Sequence, residues 1–121
     1  MFDGRPATIF CDIDGTLIEH SPPTDTVRPD YTPSVLQGTV EKLLEWDKKG
    51  YNIILVSGRR ESARAQTEAQ LSSLGIIYDK LLLGIGGGRR YLINDRKPYG
   101  KEDYAIAINL TRNKGIAEVE I

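Results

Sequence analysis

The chain has 121 residues, enough for one compact domain and too few for two. Apolar residues make up 40% and charged residues 27%, a composition typical of folded soluble domains. The net charge of −1 gives no electrostatic case for binding nucleic acid or an anionic membrane. The single cysteine, Cys11, excludes an internal disulfide and fits a reducing compartment. We therefore predict one cytoplasmic domain over residues 1–121, with neither nucleic acid nor membrane as a partner.

The first predicted elements are a short strand, a proline-rich loop and an amphipathic helix. Thr8–Cys11 is apolar and ends abruptly in acidic residues, as expected of a buried strand that carries polar groups at its carboxyl edge. The stretch 19–33 contains four prolines and is predicted to be a loop or a hairpin. Apolar residues then recur at helical spacing at Leu36, Val40, Leu43 and Leu44. This spacing predicts a helix over Val35–Lys49, capped by Ser34 and ended by Gly50.

The rest of the chain continues the alternation of strands and helices. Tyr51–Val56 is predicted to be a strand, and the Ala- and Gln-rich stretch Glu61–Leu74 a helix. Further strands are predicted at Leu81–Leu83, Tyr91–Ile93 and Tyr104–Leu110, the last of which would also suit a helix. Such alternation indicates an α/β fold, in which helices cover the faces of a parallel sheet.

Two carboxylates, Asp12 and Asp14, directly follow the first predicted strand. Burying both without compensation would cost several kcal/mol, on the order of the penalty for an unpaired buried charge. A Mg²⁺ ion would compensate them, because it prefers hard oxygen ligands. Asp95, at the end of the fourth predicted strand, is the expected third oxygen donor. The alternative is that these acids cap loops or helices in solvent.

The segment Phe10–Leu17 resembles motif I of the haloacid dehalogenase (HAD) superfamily, in which Asp-x-Asp-Gly-Thr-Leu follows an apolar strand. The resemblance implies that Asp12 attacks phosphorus and forms an aspartyl-phosphate. It also implies that Asp14 protonates the leaving oxygen and then activates water, and that Gly15 and Thr16 contact the phosphate. A carboxylate nucleophile with a second carboxyl as acid and base is a sound arrangement for a phosphatase.

The segment Ser57-Gly58-Arg59 lies where the superfamily carries motif II. By this resemblance the Ser57 hydroxyl hydrogen-bonds the transferring phosphoryl group, and Gly58 lets the backbone approach the phosphate. Arg59 is predicted either to hold a substrate phosphate or carboxylate through its fork of donors, or to pair with an acid of the protein.

The segment Tyr91–Asp95 resembles motif IV, whose acids complete the metal site. By this resemblance Asp95 joins Asp12 and Asp14 as a ligand of Mg²⁺, although Asn94 stands where many relatives have a second acid.

Motif III is where the sequence departs from the superfamily, because the expected lysine is missing from the stretch 84–90. That lysine steadies the negative charge of the nucleophile and the phosphate. We predict that Lys97 or Arg89 takes its place, Lys97 as a catalytic cation and Arg89 as a phosphate-binding residue.

The resemblance implies a three-layer Rossmann-like fold with strand order 5-4-1-2-3. Neither point at which relatives insert a cap domain has enough residues here for one, so we predict an open site without a cap. Relatives of this kind act on large substrates or close the site with a neighbouring subunit. A homo-oligomer is therefore predicted, with the segment Ile116–Ile121 as a candidate contact.

In length and layout the chain resembles the small HAD phosphatases of capsule biosynthesis. The predicted function is therefore Mg²⁺-dependent hydrolysis of a small sugar phosphate of polysaccharide biosynthesis. One alternative is a weak or inactive relative that binds Mg²⁺ or a phosphorylated ligand as an assembly module. A second is a response-regulator domain, which leaves the Asp-Gly-Thr signature unexplained. A third is a phosphatase of nucleic-acid ends, which would suit an open site but lacks a basic excess.

Overall fold

The computed structural model describes residues 4–121, so the first three residues of the predicted domain lie outside it. Its strands are β1 (Thr8–Asp12), β2 (Asn52–Val56) and β3 (Lys80–Leu82). Its helices are α1 (Pro23–Thr26), α2 (Thr39–Lys48) and α3 (Arg64–Ser73), and a 3₁₀ turn at Glu61–Ala63 leads into α3. The three predicted strands of the first two thirds of the chain and both predicted helices are thus present.

The strands form one parallel sheet in the order β1-β2-β3. Cys11, Leu55 and Leu81 stand side by side in the register and face the same side of the sheet. Both connections cross the sheet in the same direction, and right-handed connections therefore place α2 and α3 on one face. Leu43 and Trp46 of α2 pack with these strand residues in a single core.

Helix α2 begins four residues later than predicted. Ser34 does not cap it, and the helix starts at Thr39 after Gly38, whose φ of 84° is in the left-handed region. The preceding residues are bonded elsewhere: Val35 forms an antiparallel bridge with Ile18. The loop after β1 thus takes up the backbone groups that the helix would need there.

The predicted fourth and fifth strands are wrong for this structure, because residues 83–121 form no helix or strand. Tyr91 and Ile93 are 81% and 93% exposed, and the stretch 91–93 pairs with no strand among residues 4–121. A strand is stable only where its N–H and C=O groups find partners. An apolar composition alone therefore does not make a segment a strand. The order 5-4-1-2-3 is therefore observed only in its 1-2-3 part.

A third layer is also missing from the part of the chain that the structure describes. The sheet face opposite the helices carries Phe10 and Leu82, which are 54% and 41% exposed. Because both helices lie on the other face, these side chains are left partly in solvent.

The segment after β1, where relatives insert a cap, is short, and the predicted contact segment at the C-terminus is partly packed in the core. Between β1 and α2 only the four-residue helix α1 is formed. In the C-terminal stretch Ile116 is 2% exposed and belongs to the core, and the Ile121 carbonyl accepts hydrogen bonds from Lys49 and Tyr51. Ile116 is therefore unavailable for a contact between copies, and an interface through the rest of Ile116–Ile121 stays a prediction.

Candidate active site

Asp12 lies at the carboxyl end of β1 with its side chain 39% exposed. One carboxylate oxygen, Oδ2, accepts a hydrogen bond from the Thr16 hydroxyl at 3.3 Å. The other, Oδ1, accepts from Nη1 of Arg90 at 3.1 Å. The carboxylate is thus open to solvent, and its charge is paired with a guanidinium that is equally exposed.

The loop after Asp12 is held by its own backbone. Gly15 has a φ of 86°, and its N–H donates to the Ile18 carbonyl at 2.8 Å. The N–H of Thr16 donates to the Ile13 carbonyl at 3.1 Å. Gly15 and Thr16 were predicted to contact phosphate, but these N–H groups and the Thr16 hydroxyl serve the loop and Asp12 instead.

Asp14 forms a two-pronged ion pair with Arg59. Nε and Nη2 of Arg59 donate to the two oxygens of Asp14 at 3.0 and 2.9 Å. Nη1 donates to the Thr67 hydroxyl at 3.2 Å and to the Gln70 amide oxygen at 2.6 Å. The Arg59 side chain is 5% exposed. Of the two roles predicted for Arg59, the structure therefore favours pairing with an acid of the protein over binding substrate.

Ser57 directly follows β2, beside β1 in the sheet, and is buried. Its Oγ accepts a hydrogen bond from the Arg59 backbone N–H at 3.0 Å, which leaves the hydroxyl hydrogen free to donate. Gly58 has a packing reason to be glycine, since an added Cβ would lie 3.0 Å from the Ile85 carbonyl oxygen. The predicted close approach to phosphate is not needed to explain it.

Asp95 and Lys97 are bonded to each other and not to Asp12. The Lys97 ammonium donates to Asp95 Oδ1 at 3.0 Å, and the Asp95 carboxylate is 70% exposed. Arg89 is exposed. The cation beside Asp12 is therefore Arg90, which sequence reasoning missed although its neighbour Arg89 was proposed.

A second contact that the sequence did not reveal joins the C-terminal stretch to the loop after Asp12. The Asn113 N–H donates to the Gly15 carbonyl, and the Asn113 amide oxygen accepts from the His20 N–H, both at 2.8 Å. Arg112 lies beside the same glycine, since an added Gly15 Cβ would be 3.3 Å from its Cγ. No local pattern signals a contact between residues so distant in sequence.

Cys11 is unsuited to act as a second nucleophile beside Asp12. Burial, reinforced by the neighbouring Asp12 charge, raises the pKa of the Cys11 thiol to about 12. The nucleophilic thiolate is therefore scarce at neutral pH.

The arrangement of the three predicted carboxylates decides whether they fit as ligands for Mg²⁺. Asp12 and Asp14 offer hard oxygen atoms, but both oxygens of Asp14 are bonded to Arg59. Asp95 is not brought to them, and residues 4–121 contain no group of three acidic, histidine or cysteine side chains placed to hold a metal. As they stand, these residues do not fit the predicted site of three carboxylates.

The sequence profile of the HAD superfamily, subfamily IIIB (Acid phosphatase), matches residues 1–113. The chain belongs to this family. Membership of the HAD acid phosphatases agrees with the acidic pair at the end of β1 and with the parallel sheet. No curated protein matches the chain. Between Gly4 and Ile121, no helix has the length and apolar character to cross a membrane.

Solved structures similar to this HAD chain support the same fold. A chain in a Pnkp1/Rnl/Hen1 complex is 28% identical with a TM-score of 0.58, covering 74% of this chain and 32% of that one. A chain of the Pnkp1/Rnl/Hen1 RNA repair complex is also 28% identical with a TM-score of 0.54, covering 79% and 28%. A Vibrio cholerae protein is 18% identical with a TM-score of 0.52, covering 73% and 79%. The chain thus spans about a third of the length of the first two relatives.

Proposed function

We propose that residues 1–121 form a single HAD domain without a cap that hydrolyses phosphomonoesters through an aspartyl-phosphate on Asp12. The observation that carries this proposal is the position of Asp12: it ends a parallel strand, its side chain is 39% exposed, and it lies against a guanidinium. Ligands of open α/β sheets bind at this edge. Asp14, two residues on, supplies the second carboxyl group that the reaction needs.

The reaction has two displacements. An Asp12 oxygen attacks phosphorus, a bond forms between them, and the bond from phosphorus to the leaving oxygen breaks as Asp14 gives that oxygen a proton. In the second step Asp14 takes a proton from water, the water oxygen attacks phosphorus, and the bond to Asp12 breaks to release phosphate. The Ser57 hydroxyl donates to a phosphoryl oxygen, and Arg90 stabilises the negative charge in place of the motif III lysine.

We further propose that the reaction requires Mg²⁺. The family and the paired carboxylates support this requirement, although the arrangement described above lacks a third carboxylate. The ion would neutralise charge on the phosphoryl oxygens. Asp12, whose carboxylate is 39% exposed, is the residue best placed to hold it.

The deciding experiment measures phosphate release by the wild type and by Asp12→Asn, with and without EDTA. We expect the substitution to lower turnover by at least about a thousandfold, because the amide is not a nucleophile. Asp47→Asn, a matched change on the exposed face of α2, should leave turnover unchanged. Turnover that survives in Asp12→Asn would contradict the mechanism, and turnover that survives EDTA would contradict the need for Mg²⁺.

Two substrate classes are proposed, and one panel separates them. The resemblance in length and layout to capsule-biosynthesis phosphatases supports a small sugar phosphate. The 28% identity to a chain of the Pnkp1/Rnl/Hen1 RNA repair complex favours a terminal phosphate of nucleic acid as a second candidate. Sugar phosphates, nucleotides and short oligonucleotides with a terminal phosphate form the panel. The class with the highest kcat/KM identifies the substrate.

The composition and the exposed sheet face bear on where the protein is located and whether it self-associates. We propose a cytoplasmic protein, supported by a single buried cysteine that has no disulfide partner. We also propose a homo-oligomer, supported by the apolar sheet face that the helices leave exposed.

A further inference from the structure

The turn formed by residues 111–114 is bound to the loop that carries the acidic pair. Asn113 of this turn forms hydrogen bonds with two residues of the loop, donating its N–H to the Gly15 carbonyl and accepting from the His20 N–H. Asn113 adopts a φ of 66°, a left-handed conformation that is uncommon outside glycine and better tolerated by asparagine. The backbone conformation and both hydrogen bonds thus specify where this turn lies.

The core anchors the turn from its other end. Ile116 is buried with the core residues. Gly115 packs against Leu36, since a Cβ added at Gly115 would lie 3.4 Å from the Leu36 Cβ. The Lys114 N–H donates to the Thr111 carbonyl at 3.0 Å and closes the turn. Arg112 therefore extends from a fixed backbone.

The stem of Arg112 runs beside Gly15, which directly follows Asp14 in the chain. Asp14 is the residue proposed to protonate the leaving oxygen. The Cγ of Arg112 thus lies beside the loop that carries Asp14.

The guanidinium of Arg112 is available to a ligand. Arg59 and Arg90 are each paired with a site carboxylate, whereas Arg112 is exposed and makes no ion pair with any residue between Gly4 and Ile121. Arginine stays charged at all ordinary pH values, and its fork of donors suits phosphate.

We propose that Arg112 binds a second anionic group of the substrate, a phosphate or phosphodiester on the leaving-group side. This inference rests on the proposed function and adds a preference within it. A small bisphosphate and a nucleotide chain both supply this chemistry, and the test separates them.

The test compares the wild type with Arg112→Gln on matched pairs of substrates. The pairs are a hexose monophosphate with its bisphosphate, and a nucleoside monophosphate with a short oligonucleotide that ends in phosphate. We expect KM to rise roughly tenfold for the substrates with a second anion, with kcat within about twofold, since a charge-assisted contact is lost from binding alone. KM for the monophosphates should stay the same.

The pair with the larger change identifies the source of the second anion. Arg28 is an exposed arginine of the loop before α2, and Arg28→Gln is the matched control, which should change the KM of none of the four substrates. Equal changes on both members of each pair, or no change on any, would overturn the proposal. Unchanged thermal unfolding of Arg112→Gln would confirm that the variant is folded.

A second measurement applies if the wild type hydrolyses nothing, which would refute the proposed function alone. Calorimetric titration then compares inorganic phosphate with pyrophosphate, as the simplest ligands with one and two anionic groups. Tighter binding of pyrophosphate by the wild type, lost in Arg112→Gln and kept in Arg112→Lys, would support the Arg112 site. Identical titrations of wild type and Arg112→Gln would overturn it.

Discussion

Arg59 illustrates how far a motif determines the role of a residue. The sequence placed it correctly after the second strand, in the segment that resembles motif II. Its two possible partners, a substrate anion and an acid of the protein, could not be separated there, because both suit a guanidinium. The folded chain favours the second, since Asp14, Thr67 and Gln70 surround the buried guanidinium. Arg59 is thus a positioning residue that orients the Asp14 carboxylate.

We expect Arg59→Met to impair turnover of alkyl phosphates far more than turnover of p-nitrophenyl phosphate. A misplaced Asp14 protonates an alkoxide leaving group poorly, whereas p-nitrophenolate departs without a proton. The loss should be about a hundredfold for the alkyl ester and about tenfold or less for the aryl ester, given the usual contribution of general acid catalysis. Steady-state kinetics of both esters provide the measurement.

Two further variants separate positioning by Arg59 from a general structural role. Arg60→Met, at the exposed neighbouring residue, should leave both rates unchanged. Arg59→Lys should recover part of the alkyl-ester rate, because it keeps a cation near Asp14. Equal losses on the two esters would show that Arg59 supports the fold or the binding of phosphate instead.

The cation beside Asp12 marks the limit of prediction at the same scale. The missing motif III lysine was evident, and the expectation that another cation replaces it stays a prediction. Arg89 or Lys97 was predicted to be that cation, whereas the residue that contacts Asp12 in the structure is Arg90. These residues lie in a stretch without helix or strand, where no periodicity indicates which side chain points toward the sheet.

At the scale of elements, local patterns predicted β1 to β3, α2 and α3 well and the start of α2 poorly. The helical spacing of Leu36 and Val40 suggested a helix that already includes Val35. The bridge between Val35 and Ile18 prevents this, and Leu36 donates its N–H to Leu17 instead. Such contacts between distant segments override local propensity, and the sequence pattern does not contain them.

Gly38, which precedes α2, should tolerate alanine worse than Gly50, which follows it. Both have left-handed φ angles, 84° and 81°. A Cβ on Gly38 would lie 2.5 Å from the Ala117 Cβ, whereas a Cβ on Gly50 would meet nothing within 4 Å. Gly50→Ala should therefore lower the free energy of unfolding by about 1 kcal/mol from backbone strain alone. Gly38→Ala should lower it by about 3 kcal/mol, because overpacking adds to this strain.

Urea unfolding of the two variants beside the wild type provides the measurement. Equal losses at the two positions would mean that the C-terminal stretch yields easily to the added methyl group. The contact between Gly38 and Ala117 would then be too weak to hold that stretch in place.

At the scale of the whole molecule, the sequence predicted the half of the sheet that local signals specify. The strands β1 to β3 and their connecting helices follow from alternation and handedness. The predicted strands at 91–93 and 104–110 depend on pairing with β1 or with each other, and a pattern of apolar residues does not establish such pairing. Asp95 does not lie beside Asp12 for the same reason, since it would reach Asp12 only if its segment paired beside β1.

The sheet face without helices leads to a prediction about assembly. Phe10 and Leu82 lie on this face, and so does Asp12, because alternate residues of a strand share a face. A second copy of the chain packed on this face would bury both apolar side chains and border the catalytic carboxylate. Self-association would thereby cover the open site, which no segment between β1 and α2 is long enough to do.

We therefore expect sedimentation to give a mass above the 13.5 kDa of one chain, and the double variant Phe10→Gln, Leu82→Gln to shift it toward the monomer. The physical reason is that removing apolar surface from the contact removes the main driving force for association. Leu44→Gln alters an equally exposed leucine on α2, away from this face, and should leave the mass unchanged. A monomeric wild type, or equal shifts in both variants, would show that this face is not where copies meet. If the double variant also loses turnover while remaining folded, the second copy contributes to the site that Asp12 borders.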